Sequence, residues 1–175
     1  LHASFNTPRF RKWAQAVLDY ANLYGTPSQV IPPVTRNDLA DPYMLTASDL
    51  AGGTWVAVNV WNGAKSNTVT VSINGGAPIA ATITQPGKGE AKKRGVEFAD
   101  PLAFIKQSTQ ASMAVKSDRG GEDTAGFTTW QGVRWAGVAG PFQSWMLTDN
   151  SIHLWRVDLP AELPMGVHVM TVSTT

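Results

Sequence analysis

The three histidines are the residues whose chemistry best suits metal binding or proton transfer, and they stand far apart at positions 2, 153 and 168. His153 and His168 fall on neighbouring predicted strands, where their rings can approach each other. Protein metal centres need at least three ligands, and two histidines supply only part of such a set. The sequence therefore favours ordinary strand positions for both over a metal site.

The acidic residues offer a second candidate chemistry. Asp149 and Asp158 flank one predicted strand, and Glu162 lies in the turn that follows it. Glycosidases hydrolyse sugars with two carboxylates on either side of the scissile bond. Acids at strand ends and turns are more often solvated, so we favour that interpretation here.

The absence of cysteine excludes disulfides, Cys-zinc sites, iron–sulfur clusters and thiol nucleophiles.

A dense aromatic stretch is the best candidate for a contact surface. Large aromatic side chains either fill the core of a small β domain or provide a platform on which a sugar or peptide stacks. We favour the core and keep the contact surface as the alternative. Arg134 and Arg156 are expected to stack on tryptophan faces in either case. The residues of this candidate surface are Trp130, Arg134, Trp135, Phe142 and Trp145.

Composition limits the class of protein that carries these residues. The chain has 175 residues, of which 43% are hydrophobic and 15% charged, with a net charge of +1. Such a chain is long and apolar enough for one domain with its own core, and it is too apolar to be disordered. The near-neutral charge argues against a nucleic-acid partner. No apolar run approaches the length of about 20 residues that a membrane span needs.

Residues 1–25 are predicted to be a helical segment that links to an upstream domain absent from this sequence, with the helix itself over 7–25. Thr7 suits the N-cap, Pro8 the first turn, and Gly25 the C-terminal end. Apolar residues at steps of three and four form one stripe along the helix. The stripe consists of Phe10, Trp13, Ala14, Val17, Leu18 and Ala21.

Residues 26–175 are predicted to form a mainly β domain. Asn62-Gly63 and Asn74-Gly75-Gly76 are turn signals between β-rich runs and favour an antiparallel meander. We expect Val69 and Val71 to be buried against a closing strand that carries Val167 and Val169. The resulting prediction is an antiparallel β-sandwich, immunoglobulin- or fibronectin-like, with an N-terminal α-helix. Its strands are expected at about 54–61, 68–73, 79–84, 152–159 and 167–172.

An irregular insertion is expected at about 86–126. Seven basic and four acidic residues alternate between positions 88 and 119, which favours a solvated segment over an anion site. Within it, Pro101 can begin a helix over residues 102–115 with Asp100 as its cap.

Two stretches resemble a known family. Residues 2–13, with the run VAVNVWNGAKSNTVTV at 56–71, form the first. The run GPFQSW at 140–145, followed by HLWRVDLPAELPMGVH at 153–168, forms the second. Together they resemble the C-terminal domain of bacterial calcineurin-like metallophosphoesterases. That resemblance implies a β-sandwich accessory domain behind a catalytic domain, in a periplasmic, cell-envelope or secreted hydrolase.

The catalytic domain of that family holds two divalent metals through Asp-x-His, Gly-Asp-x-x-Asp, Gly-Asn-His-Glu and Gly-His-x-His motifs, and none of these occurs here. The resemblance therefore assigns no catalytic, metal or cofactor residue to this chain and places the dimetal site in the upstream domain. We expect a non-catalytic module that packs on that domain and shapes access of substrate. The alternative is an independent carbohydrate- or peptide-binding module. An enzyme in its own right needs a compact set of convergent polar groups, which the sequence does not offer.

Overall fold

A computed structural model describes residues 1–23, 44–87, 89–108, 129–130, 133–134 and 151–175. The helices are α1 (Pro8–Leu23), α2 (Ala47–Ala51), a short 3-10 helix (Val96–Phe98) and α3, which is described over 101–108. The strands are β1 (His2–Asn6), β2 (Trp55–Asn59), β3 (Val69–Ile73), β4 (Ile79–Ala80), β5 (Thr82–Ile83), β6 (Thr129–Trp130), β7 (Val133–Arg134), β8 (Leu154–Asp158) and β9 (Met170–Thr174).

Two antiparallel sheets dominate the described residues. One has four strands in the order β1-β2-β8-β5, and the other has three strands in the order β4-β3-β9. The strands β6 and β7 form a separate short pair. The prediction of a mainly β, antiparallel fold is confirmed.

The predicted meander is confirmed at its second turn, since β3 and β4 pair on either side of Asn74-Gly75-Gly76, and wrong at its first. The strand β2 pairs with β1 and β8, whereas β3 pairs with β4 and β9, so the turn at Asn62-Gly63 connects two different sheets. The run at 79–84 is also split: Ala81 still donates its N–H to the Val69 carbonyl at 2.8 Å, but Thr82 already pairs with Arg156 of β8. This break allows β4 to join one sheet and β5 the other.

The two sheets share one apolar cluster. Val56 and Val58 from the four-stranded sheet are buried with Val69 and Val71 from the three-stranded sheet. These are alternate residues along β2 and β3, as expected for strands with one face in the core. Burying one valine side chain in this way contributes about 1.5–3 kcal/mol to stability.

The closing strand begins later than predicted. Val167 and Val169, which were expected in the core, are 96% and 65% exposed, and the core-facing residues are Met170 and Val172. The Asn74 side chain explains the shift, because its Oδ1 accepts the Val169 N–H at 3.0 Å. The Asn74 N–H is in turn donated to the Val169 carbonyl at 2.8 Å. The ladder therefore starts at residue 169, with the opposite alternation of inward and outward side chains.

The N-terminal residues pack on the rest of the domain. Residues 2–6, for which no strand was predicted, form β1 at the edge of the four-stranded sheet. The helix α1 lies inside the predicted range 7–25, and Thr7 Oγ1 accepts the Phe10 N–H at 3.0 Å as a cap. Its apolar stripe is buried against the 3-10 helix and α3. That cluster comprises Phe10, Trp13, Ala14, Val17, Leu18, Val96, Ala99, Phe104 and Ile105.

The helix predicted after Asp100 is also present in α3. Asp100 Oδ1 accepts the N–H groups of Leu102 and Ala103 at 3.0 and 3.3 Å, as an N-cap does. Residues 109–115 of the predicted helix lie outside the described residues. Among the helices of the described ranges, none is both long and apolar enough to cross a membrane.

Candidate functional site

The contact surface predicted from the aromatic stretch is only partly covered by the structure. Trp130 belongs to β6 and Arg134 to β7. In this pair of strands Trp130 is opposite Val133, and Thr129 is opposite Arg134. Trp135, Phe142 and Trp145 lie outside the described residues. The choice between core and contact surface for these side chains therefore stays a prediction.

His153 and His168 form hydrogen bonds with different partners. His153 Nδ1 lies 2.6 Å from the Gly63 carbonyl, beside the four-stranded sheet. His168 Nε2 lies 2.7 Å from the Pro164 carbonyl, and its Nδ1 lies 2.8 Å from the Asn74 amide. Within the described part of the chain, no three residues of the metal-binding types come together.

Asp158 has a partner on its own strand. Its Oδ1 accepts the Arg156 Nε–H at 2.8 Å, and its side chain is largely exposed. The Arg156 guanidinium lies 5.2 Å from the centre of the Trp55 ring, so Arg156 stacks on a tryptophan as expected. Asp149, the other member of the candidate carboxylate pair, lies outside the described residues.

A polar cluster surrounds Asp100, and no pattern in the sequence groups its members. Asp100 is buried, and its Oδ2 lies 2.7 Å from His2 Nε2 and accepts the Asn59 amide at 2.8 Å. The Ser4 hydroxyl donates a longer bond of 3.4 Å to Oδ1. One carboxylate thus joins β1, β2 and the first turn of α3.

The strand register explains why these residues meet. His2 and Asn59 are directly opposite each other in the β1–β2 ladder, so their side chains lie on the same face. Ser4 follows His2 at a spacing of two and therefore lies on that face as well. The alternation of polar residues in His2-Ala3-Ser4 was the signal that sequence reasoning missed, because nothing marked these residues as a strand.

The exposed indole of Trp61 extends this cluster to the surface. Trp61 Nε1 donates to His2 Nδ1 at 3.2 Å, and the two rings meet edge to face with centroids 6.1 Å apart. An indole N–H can only donate, so Nδ1 of His2 carries no proton in this arrangement. The His2 proton is therefore on Nε2, where it is donated to Asp100.

Trp61 and Ile152 form a small apolar pair that we call the Trp61 surface. Both side chains are at least half exposed, and Trp61 is 66% exposed. The Val60 N–H donates to the His153 carbonyl at 3.0 Å, which continues the β2–β8 ladder and brings Trp61 beside Ile152. These residues therefore lie at the end of the sheet where β1 begins, β2 ends and β8 begins.

Residue 175 is close to the same end of the domain. The Thr175 N–H donates to the Thr68 carbonyl at 3.1 Å, and the Asn67 amide donates to the Thr175 carbonyl at 2.6 Å. Asn67 and Thr68 are in the connection that follows Trp61. Residues 1 and 175 thus both lie near the Trp61 surface.

An ion pair between Arg9 of α1 and the buried carboxylate of Asp49 holds the start of the N-terminal helix. Arg9 donates from Nε and Nη2 to the two carboxylate oxygens of Asp49, at 2.8 and 2.6 Å. Burial raises the pKa of Asp49, but hydrogen bonds from Arg9 and Thr46 together with the Arg9 charge outweigh it and hold the pKa below its ordinary value. Asp49 also completes a capping box with Thr46 at the start of α2. This pair joins α1 to α2 and has a structural role.

Comparison with known proteins adds no further assignment. The chain matches no protein-family model, no curated protein and no solved structure. The Trp61 surface and the Asp100 cluster beneath it are therefore the features from which we argue function.

Proposed function

We propose that this chain is a non-catalytic accessory domain of a bacterial calcineurin-like metallophosphoesterase, which packs on the catalytic domain and shapes access of substrate. The observation that carries the proposal is the position of the Trp61 surface at the start of β1, where His2 holds the indole. The resemblance at residues 153–168 supplies the family, and it also suggests a periplasmic, envelope or secreted hydrolase as the parent. The finer fold in this proposal is an immunoglobulin- or fibronectin-like β-sandwich, and the apolar cluster shared by the two sheets supports it.

The Trp61 surface has the properties of a docking surface. Exposed apolar side chains are common singly on monomers, but grouped ones mark contact with another molecule or domain. Tryptophan is also enriched among the residues that dominate protein–protein binding energy. Here the indole lies beside a further exposed apolar residue, Ile152, and its orientation is fixed by His2. Such a fixed ring loses little conformational freedom on binding.

The position of β1 favours the catalytic domain as the partner that docks on the Trp61 surface. In the proposed parent protein, the catalytic domain comes before this one in the chain. His2, whose ring accepts the Trp61 indole N–H, is the first residue of β1, so the chain that leads into β1 passes close to the Trp61 surface. The two divalent metals and their phosphate chemistry belong to that upstream domain. The residues of this chain contribute packing and the shape of the entrance.

A binding measurement with two matched variants tests the docking proposal. We would titrate the separately expressed catalytic domain of the parent reading frame with the 175-residue chain and with its Trp61→Ser and Met165→Ser variants. Met165 is fully exposed in the segment that leads to the other end of β9, so it is a control for loss of an exposed apolar side chain. Trp61→Ser should weaken binding by about tenfold or more, and Met165→Ser by less than about twofold. Equal effects of the two substitutions, or no binding by the unmodified chain, would contradict the proposal.

The exposed indole also favours a second candidate, a carbohydrate- or peptide-binding module. A flat, oriented tryptophan ring is a surface on which a sugar ring or an aromatic side chain stacks. Titration of the 175-residue chain with a panel of oligosaccharides and peptides distinguishes the two functions. Saturable binding that Trp61→Ser abolishes, together with no affinity for the catalytic domain, would favour the second candidate.

A further inference from the structure

We propose that protonation of His2 releases Trp61, so that pH controls how the indole is presented at the Trp61 surface. This inference concerns the regulation of the surface on which the proposed function rests. The switch itself lies within the chain, and it can be tested whether or not the docking proposal holds.

His2, Trp61 and Asp100 differ in whether their side chains donate or accept hydrogen bonds. Trp61 Nε1 is a donor only, and it lies 3.2 Å from His2 Nδ1. A neutral imidazole accepts this bond at Nδ1 and donates from Nε2 to Asp100, which is 2.7 Å away. An imidazolium carries a proton on both nitrogens, so its Nδ1–H faces the Trp61 N–H with no acceptor between them. Protonation therefore breaks the hydrogen bond that orients Trp61 on His2.

The other side of the His2 ring responds in the opposite direction. The bond from Nε2 to the Asp100 carboxylate becomes an ion pair when the ring is protonated, and a hydrogen bond between two charged groups is stronger than one from a neutral ring. Asp100 is held by the Asn59 amide and by the first N–H groups of α3, so it does not follow a moving ring. His2 thus stays on Asp100 while Trp61 loses its anchor. Because Trp61 is already 66% exposed, it can turn into solvent without opening the core.

The groups around His2 identify its electrostatic environment. Among the described residues that contact the His2 ring, the charged one is Asp100, at the start of α3. Trp61 and Asn59 from β2 and the connection after it are uncharged, as is Ser4 on β1. The α-amino group of Leu1 is one residue away from His2. A control variant must therefore lack the imidazole and keep that amino group.

The test is an NMR titration of the 175-residue chain from about pH 8 to about pH 5, the range in which histidine changes charge. Trp61→Phe identifies the indole N–H signal of Trp61, and His2→Asn identifies the ring signals of His2. The asparagine variant also serves as the control, since its side-chain oxygen can accept from Trp61 but does not titrate. Long-range proton–nitrogen spectra of the histidine rings report which nitrogen carries the proton.

We expect the His2 ring to be protonated at Nε2 alone near pH 8. On acidification, the Trp61 indole proton should shift upfield, as a broken hydrogen bond requires, with the same midpoint as the His2 ring. In His2→Asn this shift should disappear. The proposal is overturned if the Trp61 signal does not follow the titration of His2, if it shifts equally in His2→Asn, or if the ring starts as the Nδ1–H tautomer. None of these outcomes depends on a catalytic domain, whereas failure of docking appears only in the binding measurement with Trp61→Ser.

Discussion

Replacing Asp100 by alanine tests the cluster that supports the Trp61 surface. The substitution removes the N-cap of α3, which costs about 1 kcal/mol. It also leaves the buried Asn59 amide without its carboxylate partner, which costs about 1–3 kcal/mol. The bond from His2 is partly exposed to solvent and contributes about 0.5–1.5 kcal/mol. We therefore expect the free energy of unfolding to fall by about 2.5–5.5 kcal/mol, a large part of the 5–15 kcal/mol typical of a domain.

Two further substitutions separate these contributions. Asp100→Ser keeps a good N-cap but cannot bind His2 and Asn59 together, so it should be about 1 kcal/mol more stable than Asp100→Ala. Asp158→Ala removes an exposed carboxylate whose partner is Arg156, and it should change stability by less than about 0.5 kcal/mol. Urea unfolding at neutral pH, followed by circular dichroism, gives the midpoint and slope for each variant. The reasoning is refuted if Asp100→Ala is no more destabilising than Asp158→Ala.

Three further predictions follow from particular contacts. Asp49→Asn should destabilise the chain near pH 7. The difference in stability from the unmodified chain should shrink as the pH falls through the depressed pKa of Asp49. The reason is that the stabilising effect of the Asp49 carboxylate is present above the unfolded-state pKa of about 3.9 and is lost on protonation. Gly53→Ala should cost about 1–2 kcal/mol, since Gly53 has a φ of +82°. Val71→Ala should cost about 2 kcal/mol, whereas Val167→Ala should cost less than about 0.5 kcal/mol, because only Val71 is in the core.

Each of these has a direct measurement. Unfolding curves recorded at several pH values between about 3 and 7 check Asp49→Asn, and a difference that does not depend on pH would contradict the assignment of its pKa. Thermal unfolding checks Gly53→Ala, for which an unchanged melting temperature would show that the turn tolerates a side chain. Equal effects of the two valine substitutions would show that the closing strand begins at Val167 after all.

Local sequence signals predicted the elements whose causes are local. The apolar stripe from Phe10 to Leu18 predicted the buried face of α1, and the Asp100-Pro101 pair predicted the start of α3. Alternation of Val69 and Val71 predicted the core face of β3. In each case the information lies within one or two turns or a few residues of strand.

Pairing between distant segments could not be predicted in the same way. Alternation shows that β3 buries one face, but it does not say which strand lies beside it, so β2 was expected next to β3 although the two strands belong to different sheets. The Asp100 cluster joins residues 98 and 41 positions apart, and no local pattern relates them. At the closing strand both Val167/Val169 and Met170/Val172 show alternation, and the Asn74 side chain decides between them.

The most direct test of the proposed function is an assay of phosphoester hydrolysis. Phosphomonoester and phosphodiester substrates would be supplied with added Mn²⁺ or Zn²⁺ to the 175-residue chain and to a chain extended upstream of Leu1. We predict hydrolysis by the extended chain and none by the 175 residues alone. Activity in the 175-residue chain itself, or no activity in an extended chain that folds and binds metal, would contradict the assignment of this chain as the accessory domain of a metallophosphoesterase.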